Sequence, residues 1–318
     1  MLRYAQIVDV FMGNYMENYY QALHDAGLDK AIIGSEVFTY YRLKELTSAD
    51  PEAVSPWRDV RDRPYVAGGF VWAGVDYLGE STGWPVKGWT GCPIDSTGWP
   101  KLRAEYIRSQ WSGEPMVRVG VMDERAYDDR ARANWSFPLM TDRWTAPHPD
   151  LMRHVCVMTN CEEVTLRLND GPLRRGRPEA DGMVHFLVAY QPGTLVAEGL
   201  RGGVKVAEQV LWTAEGPASV RLTAREACEG LLQIDATVWD EHGQLWTGDA
   251  PEGTVTVEGP AVLLGTDDGD FLRDRDPRRP VCPFHLGHFI LYLRRTGIGQ
   301  VRVTLEAGGM TCELAEDV

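Results

Sequence analysis

The sequence is short of positive charge and of long apolar runs. It holds 32 Lys and Arg against 46 Asp and Glu, which gives a formal net charge of −14. Such an excess of negative charge is repelled by the phosphates of nucleic acids and by anionic lipid surfaces. No uninterrupted apolar run approaches the roughly 20 residues that a membrane-spanning helix needs. We therefore expect neither nucleic acid nor a membrane as a partner.

Cysteine is also scarce, and no two of the six cysteines form a Cys-x-x-Cys pair. They are scattered at Cys92, Cys156, Cys161, Cys228, Cys282 and Cys312. A structural zinc site recognisable from sequence usually has two closely spaced ligand pairs, and a disulfide framework is typical of much shorter secreted chains. The first residues lack the apolar core of a secretion signal. We expect reduced thiols, no metal, no cofactor and a cytoplasmic location.

What the sequence does contain is a short apolar run that ends in a carboxylate. Residues 31–35 are Ala-Ile-Ile-Gly-Ser, and Glu36 follows. A continuous apolar run of this length predicts a strand buried on both faces in a parallel sheet. Because an ionised Glu is costly to bury, Glu36 should lie at the open C-terminal end of the sheet. The plainer alternative is a solvated or capping Glu without a catalytic role.

Several stretches resemble glycoside hydrolase family 2, the β-galactosidase and β-glucuronidase family. Ile-Gly-Ser-Glu at 33–36 and Gly-Phe-Val-Trp at 69–72 are similar to the last two strands of its catalytic barrel. The pieces similar to this part of the barrel follow the family's order, at 13–17, 33–36, 69–80, 98–101 and 109–111. Residues 159–169 and 190–195 resemble a sandwich domain that follows the barrel in many bacterial β-galactosidases. The resemblance covers nearly the whole chain.

The resemblance implies roles for three residues of a retaining glycosidase. Glu36 matches the nucleophile, and Tyr15 matches the tyrosine that hydrogen-bonds it. Trp72 matches an aromatic platform of the galactose pocket, since aromatic rings pack on the apolar C–H faces of sugars. For Tyr15 the alternative is an aromatic side chain that only packs at the barrel rim.

Four further residues are predicted to contact the substrate, because acids and amides bind sugar hydroxyls. They are Asn14, Asp76, Glu80 and Lys87. Family members that act on glucuronides have an Asn-x-Lys in the loop after the last barrel strand. Residues 85–88 here are Pro-Val-Lys-Gly, without the Asn. This favours β-galactosides and leaves β-glucuronides as the alternative substrate class.

The predicted architecture is multi-domain, α/β followed by all-β. Residues 1–113 are predicted to be the C-terminal part of a (β/α)8 TIM barrel, with strands at 7–11 and 31–36 and helices at 18–26 and 102–111. Short alternating strands between turn residues then predict two β-sandwiches, at 114–225 and 226–318. The family resemblance implies an immunoglobulin-like architecture for both.

The sequence offers only three barrel strands and no match to the family's general acid/base, which lies on an earlier strand. Three strands leave two open edges and half a core. We expect a second protein chain with the N-terminal part of the barrel to supply the acid/base, unless the chain is a truncated fragment. The alternatives are a non-catalytic assembly or carbohydrate-binding subunit, and a self-contained enzyme that uses Glu17 or Glu80. The last alternative is disfavoured because it lacks a closed barrel.

Overall fold

The chain folds into a small parallel sheet with helices, followed by two β-sandwiches. A computed structural model describes residues 2–38, 41–42, 53–55, 57–81, 83–122, 137–146 and 148–317. Each sandwich consists of two four-stranded sheets. Within the described ranges, no helix is both long enough and apolar enough to cross a bilayer. All six cysteines are free thiols.

The parallel sheet consists of three strands, and the strand that ends near Glu36 lies in its centre. The strands of this region are β1 Phe11–Asn14, β2 Ile32–Val37, β3 Tyr41–Arg42, β4 Ala53–Val54, β5 Val66–Val71, β6 Tyr77–Leu78 and β7 Gly88–Trp89. The sheet order is β1-β2-β5, while β3–β4 and β6–β7 form short antiparallel pairs. The helices are α1 Leu2–Ala5, α2 Tyr20–Asp25, α3 Trp57–Asp62 and α4 Leu102–Trp111.

One face of the parallel sheet packs on the helices. Phe11 lies opposite Ile32, and Ile32 lies opposite Val66. All three are buried in a cluster with Tyr20 and Leu23 of α2. This burial of apolar area fixes the sheet against α2, and it brings the C-terminal ends of all three strands to one edge.

The N-terminal elements differ from the prediction. A strand was expected at 7–11, but the chain forms α1 and turns first, and β1 begins at Phe11. The Lys30 ammonium donates to the backbone carbonyls of Gln6 and Val8, so these turn residues bond to a side chain and not to a strand. The helix expected at 18–26 is a 3₁₀ turn, Glu17–Tyr19, followed by α2.

The first sandwich follows α4 and consists of two antiparallel sheets. Its strands are β8 Val117–Met122, β9 Met140–Thr141, β10 Met152–Thr159, β11 Glu163–Leu168, β12 Arg174–Gly176, β13 Met183–Ala189, β14 Thr194–Arg201 and β15 Val204–Trp212. The sheet orders are β13-β10-β8-β9 and β12-β11-β14-β15. Val155 and Val157 of β10 meet Val164 and Leu166 of β11 in the core between the sheets.

Strand β10 is buried on both of its faces. Alternate residues of a strand point to opposite sides of the sheet. Val155 and Val157 face the sandwich core, whereas Cys156 and Met158 belong to a separate cluster with Tyr106 of α4. The helix α4 therefore covers the outer face of this sheet and is joined to the first sandwich by buried contacts.

The second sandwich begins earlier than predicted. Its strands are β16 Ser219–Cys228, β17 Leu231–Trp239, β18 Gly253–Glu258, β19 Ala261–Asp267, β20 Val281–Cys282, β21 His288–Arg295, β22 Gln300–Ala307 and β23 Met310–Asp317. The sheet orders are β16-β17-β21-β19 and β20-β18-β22-β23. The stretch beginning at Ser219 was assigned to the first sandwich, but it pairs with β17 across the turn at Gly230. Alternation of residues does not reveal which sheet a strand joins, so this boundary was wrong.

A buried contact between a carboxylate and a histidine joins the loop before α4 to the second sandwich. Asp95 Oδ2 lies 2.9 Å from His288 Nε2, and the two side chains are 1% and 0% exposed. The His288 ring stacks on Trp99 at 4.5 Å between centroids. Burial by itself raises the pKa of Asp95, but hydrogen bonds from His288 and Thr97 outweigh it and hold the pKa below its ordinary value.

We predict that Asp95→Ala destabilises the chain by about 3–5 kcal/mol, because it leaves His288 buried without its carboxylate. The control is Glu313→Ala, which removes an exposed pair with Arg302 and should cost less than about 1 kcal/mol. Urea denaturation measures both. Because the pKa of Asp95 is lowered by folding, its contribution is present above the ordinary Asp pKa of about 3.9 and is lost as the pH falls below it. Equal midpoints for the two variants at neutral pH would contradict the prediction.

Candidate active site

The C-terminal ends of the three parallel strands place Glu36 between two neighbouring chain segments. Asn14 of β1 lies opposite Glu36, and Val37 lies opposite Val71 of β5. The Trp72 N–H, one residue beyond β5, donates to the carbonyl oxygen of Val37 at 3.2 Å. The C-terminal edge of a parallel sheet is where α/β barrels hold their reacting groups.

Tyr15 contacts Glu36 through both its backbone and its side chain. Its N–H donates to the Glu36 carbonyl oxygen at 2.7 Å, with the backbone in the left-handed region at φ 54°. Its phenol is hydrogen-bonded to the Glu36 side chain. The Tyr15 ring also packs on Phe38, at 4.6 Å between centroids. Tyr15 therefore packs at the rim, as the alternative supposed, and also meets the carboxylate, as the resemblance implied.

The pKa of Tyr15 is raised above its ordinary value. Burial is the largest cause, and the hydrogen bond and negative charge of Glu36 add to it. The charges of Tyr77 and Glu80 raise it further, so these two side chains lie near Tyr15 as well. The phenol is therefore neutral at ordinary pH, and its O–H is available to donate to the carboxylate.

Trp72, Tyr77 and Glu80 form a hydrogen-bonded chain beside Glu36. The Trp72 Nε1–H donates to the Tyr77 hydroxyl at 3.1 Å, and that hydroxyl donates to Glu80 Oε2 at 2.5 Å. The Trp72 and Tyr77 rings meet edge to face at 6.2 Å. The Trp72 side chain is 45% exposed, so its orientation is fixed while its ring remains open to solvent.

Tyr77 was missed as a site residue in the sequence. It lies inside the stretch 69–80 that resembles the family, between two acids that were singled out. Only the folded loop brings its hydroxyl between Trp72 and Glu80, so no spacing rule along the chain would have found it. Its pKa is raised, by burial first and then by the hydrogen bond to Glu80.

Asp76, which was predicted to contact the substrate, is buried in this structure and paired with a lysine. Asp76 is 5% exposed, and both of its carboxylate oxygens contact Lys101 Nζ, at 2.7 and 2.9 Å. Its Oδ1 also accepts from the Cys92 N–H at 3.0 Å. Burial raises the pKa of Asp76 and lowers that of Lys101, and their mutual attraction opposes both shifts. The contact between Asp76 and Lys101 closes the loop between them, because the two residues are 25 positions apart in the chain.

Asn14 and Lys87 occupy different surroundings. Asn14 is exposed beside Glu36, and its Oδ1 accepts a hydrogen bond from the Ser35 hydroxyl at 2.6 Å. The Lys87 N–H donates to the Phe271 carbonyl oxygen at 2.9 Å, and its own carbonyl oxygen accepts from Gly79 at 3.0 Å. Lys87 therefore ties the loop to the second sandwich through its backbone. The proposed substrate contacts of both residues stay predictions.

Glu17, the alternative acid, is nearly closed off from solvent. It is 6% exposed, and its Oε1 accepts from the Phe38 N–H at 3.1 Å. Burial is the largest cause of its raised pKa. A raised pKa suits a proton donor, but a donor must also reach the substrate. The low exposure of Glu17 keeps it out of reach in this chain.

The group at the strand ends combines carboxylates, phenols and an indole. Two carboxylates, Glu36 and Glu80, are each hydrogen-bonded by a phenol, and an open indole lies beside them. In the part of the chain that the structure describes, no trio of His, Cys, Asp or Glu ligands lies close enough here to hold a metal ion.

Comparison with known proteins identifies the relatives of this chain. A family profile described as a domain of unknown function, DUF4982, matches residues 152–207, within the first sandwich. The β-galactosidase BoGH2A of Bacteroides ovatus is 27% identical over 219 residues, which cover 66% of this chain and 23% of that protein. A β-glucuronidase of Formosa agariphila is 24% identical over 243 residues, which cover 71% of this chain and 22% of that protein.

Solved structures share the fold. A glycosyl hydrolase family 2 member from Bacteroides cellulosilyticus has a TM-score of 0.82 at 22% identity, covering 97% of this chain and 42% of that one. A β-glycosidase from Bacteroides vulgatus has a TM-score of 0.78 at 22% identity, covering 98% of this chain and 45% of that one.

These relatives and structural neighbours are family 2 glycosidases, which confirms the resemblance seen in the sequence. The chain corresponds to a segment of such enzymes. It spans about a quarter of the length of the curated relatives that it matches.

We predict that the Tyr15 phenol ionises above the ordinary tyrosine pKa of about 10. In an alkaline titration followed by phenolate absorption, the signal present in the wild type and absent from Tyr15→Phe reports the ionisation of Tyr15. In Glu36→Gln the Tyr15 pKa should fall, because a neutral amide replaces the adjacent charge, yet it should stay raised because burial is the larger cause. Glu80→Gln is the control with a smaller effect, since Glu80 is the last of the causes. A Tyr15 transition at the ordinary pKa would contradict the prediction.

Proposed function

We propose that this chain contributes the nucleophile of a retaining β-glycosidase, and that Glu36 is that nucleophile. The observation that supports this most directly is the position of the Glu36 carboxylate, at the C-terminal end of the central parallel strand and hydrogen-bonded by Tyr15. The membership of the relatives in family 2 supports a glycosidase reaction.

In the proposed mechanism, Glu36 attacks the anomeric carbon of the sugar. The bond to the leaving oxygen breaks, and a covalent glycosyl-enzyme ester forms that water then hydrolyses. The neutral Tyr15 phenol orients the Glu36 carboxylate before attack. It also stabilises the charge that returns to the carboxylate when the ester is cleaved.

Trp72 would form one wall of the sugar site. Its exposed indole offers an apolar face to the C–H groups of a pyranose ring. The hydrogen bonds through Tyr77 to Glu80 hold the indole in place, so little side-chain entropy is lost when a sugar binds. Glu80 and Asn14 would accept or donate hydrogen bonds to hydroxyls at the rim.

We propose that further barrel strands supply the general acid/base. Retaining enzymes need a second carboxylate about 5–5.5 Å from the nucleophile. In the described residues, no strand pairs with the outer edge of β1 or of β5. Exposed apolar side chains on these two strands, Met12 at 49% and Phe70 at 64%, support the idea that more of a barrel covers them. The further barrel strands that would supply the acid/base belong to a partner chain or to another part of the same polypeptide.

The proposed substrates are terminal β-galactosides. The relative named as a β-galactosidase supports this, as does the loop at 85–88, which lacks the Asn of an Asn-x-Lys. The relative named as a β-glucuronidase makes β-glucuronides the second candidate. Turnover of matched galactoside and glucuronide chromogens by one preparation distinguishes the two.

A different class of function is an assembly subunit whose strands only complete a partner's barrel. The open edges of β1 and β5 fit this idea as well as they fit the catalytic one. The two proposals differ on whether turnover depends on the Glu36 carboxylate.

We predict that Glu36→Gln lowers turnover of the complete enzyme by about 10⁴-fold or more, because an amide cannot form the glycosyl ester. Tyr15→Phe should reduce turnover less, since the phenol acts through Glu36. Glu306→Gln, an exposed carboxylate on β22, is the matched control and should keep normal turnover. Chromogenic substrate kinetics measure all three.

An activated fluorosugar that traps the glycosyl ester should label the peptide containing Glu36. If the complete enzyme hydrolyses β-glycosides while Glu36→Gln keeps normal turnover, the catalytic proposal fails and the assembly role replaces it.

We also predict that the 318-residue chain, expressed alone, self-associates or precipitates through the open edges of β1 and β5. Phe70→Glu should reduce this association, because it places a charge on the exposed edge strand. Ile298→Glu, at a 99% exposed residue beyond β21, is the control and should leave it unchanged. Sedimentation velocity measures the oligomer. A monodisperse wild-type monomer would count against the open-edge argument.

A further inference from the structure

Three side chains of metal-ligand type meet on the outer face of the first sandwich. His154 and Cys156 are two residues apart on β10 and so point to the same side of the sheet. His185 of β13 lies directly opposite Cys156 in the antiparallel register. In the described part of the chain, a group of this kind occurs once.

The three ligand atoms are already close together. His154 Nε2 lies 3.0 Å from His185 Nδ1, and Cys156 Sγ lies 3.5 Å from the same nitrogen. Around a tetrahedral zinc ion with ordinary bond lengths, two nitrogens lie about 3.3 Å apart, and a nitrogen and a sulfur about 3.6 Å apart. All three ligand atoms lie within 4.8 Å of one another.

A buried carboxylate orients the shared histidine. His185 Nε2 lies 2.9 Å from Asp181 Oδ2, and Asp181 is 3% exposed. The Met183 N–H donates to Asp181 Oδ1 at 3.0 Å, which fixes this carboxylate. A carboxylate on the far nitrogen of a ligating histidine is the common outer partner of metal sites, because it fixes the ring and its tautomer.

The two imidazoles of the cluster are hydrogen-bonded to each other. His154 Nε2 and His185 Nδ1 lie 3.0 Å apart, so one of these two nitrogens carries the proton that they share. A metal ion would take the place of this proton.

We propose that His154, Cys156 and His185 bind a divalent transition-metal ion of the Zn²⁺ class. Thiolate and imidazole ligands favour zinc, cobalt or copper over magnesium and calcium. Binding releases two protons, one from the hydrogen bond between the two imidazoles and one from the Cys156 thiol. One further ligand, such as water, completes a tetrahedral shell.

The expected role of the ion is structural. Cys156 is fully buried in the cluster that packs on α4. The Tyr106 hydroxyl of α4 donates to the Asp181 carbonyl oxygen at 2.7 Å, next to the carboxylate that orients His185. An ion here would stiffen the contact between the first sandwich and the helix that follows the parallel sheet.

The expectation that the chain holds no metal rested on cysteine spacing. A His-x-Cys on one strand with a histidine on its neighbour forms no Cys-x-x-Cys pair, and the third ligand lies 29 residues from the cysteine. Only strand pairing brings the three together.

The test uses the full chain, stripped of metal with a chelator and titrated with Co²⁺. We expect one Co²⁺ per chain and a thiolate-to-cobalt absorption band, displaced by Zn²⁺. Cys156→Ala should abolish the band. Cys161→Ala is the matched control, because Cys161 is also buried but its Sγ lies by the Met116 carbonyl oxygen, and it should keep the band. Asp181→Asn should weaken affinity by about 10–100-fold.

X-ray absorption of the wild-type zinc form provides a readout that does not depend on any variant folding. We expect one sulfur and two imidazole nitrogens around zinc. A shell without sulfur, a cobalt band that survives in Cys156→Ala, or no stoichiometric binding by wild type would each overturn the proposal.

Discussion

The arrangement of the candidate site depends on the pairing of β2 between β1 and β5. Parallel pairing brings three C-terminal strand ends to one edge, and its register sets Asn14 opposite Glu36. Tyr15 then follows β1 directly and reaches the carboxylate from the neighbouring strand. A shift of one residue in this register would turn the Glu36 side chain to the other face of the sheet.

Each sandwich has a buried contact with α4 or with the loop that precedes it. α4 covers the outer face of β10, and the loop before α4 inserts Asp95 beside His288 of β21. A site built on only three strands gains rigidity from these contacts, since the loops that hold Trp72 and Glu80 lead into the same segment. The site and the sandwiches should therefore unfold cooperatively.

The site unites an acidic pair of carboxylates with neutral phenols and one open indole. This combination suits a reaction in which a carboxylate attacks and later regains its charge, because the donor that orients it also stabilises that charge. In the proposed mechanism, the second carboxylate of a retaining glycosidase would come from strands beyond β1 or β5. In the described part of the chain, the outer edges of β1 and β5 are where such strands would pair.

The sequence by itself determined the resemblance to family 2 glycosidases and the candidates Glu36, Tyr15 and Trp72, because apolar runs and local motifs are encoded in neighbouring residues. The helix at 102–111 and most sandwich strands were predictable for the same reason. Only the tertiary structure decided that Asp76 pairs with Lys101, that Tyr77 bridges Trp72 and Glu80, and that β16 joins the second sandwich. It alone brought His185 to Cys156. Each of these depends on residues far apart in the chain meeting through strand pairing or a returning loop, and no local pattern records such a meeting.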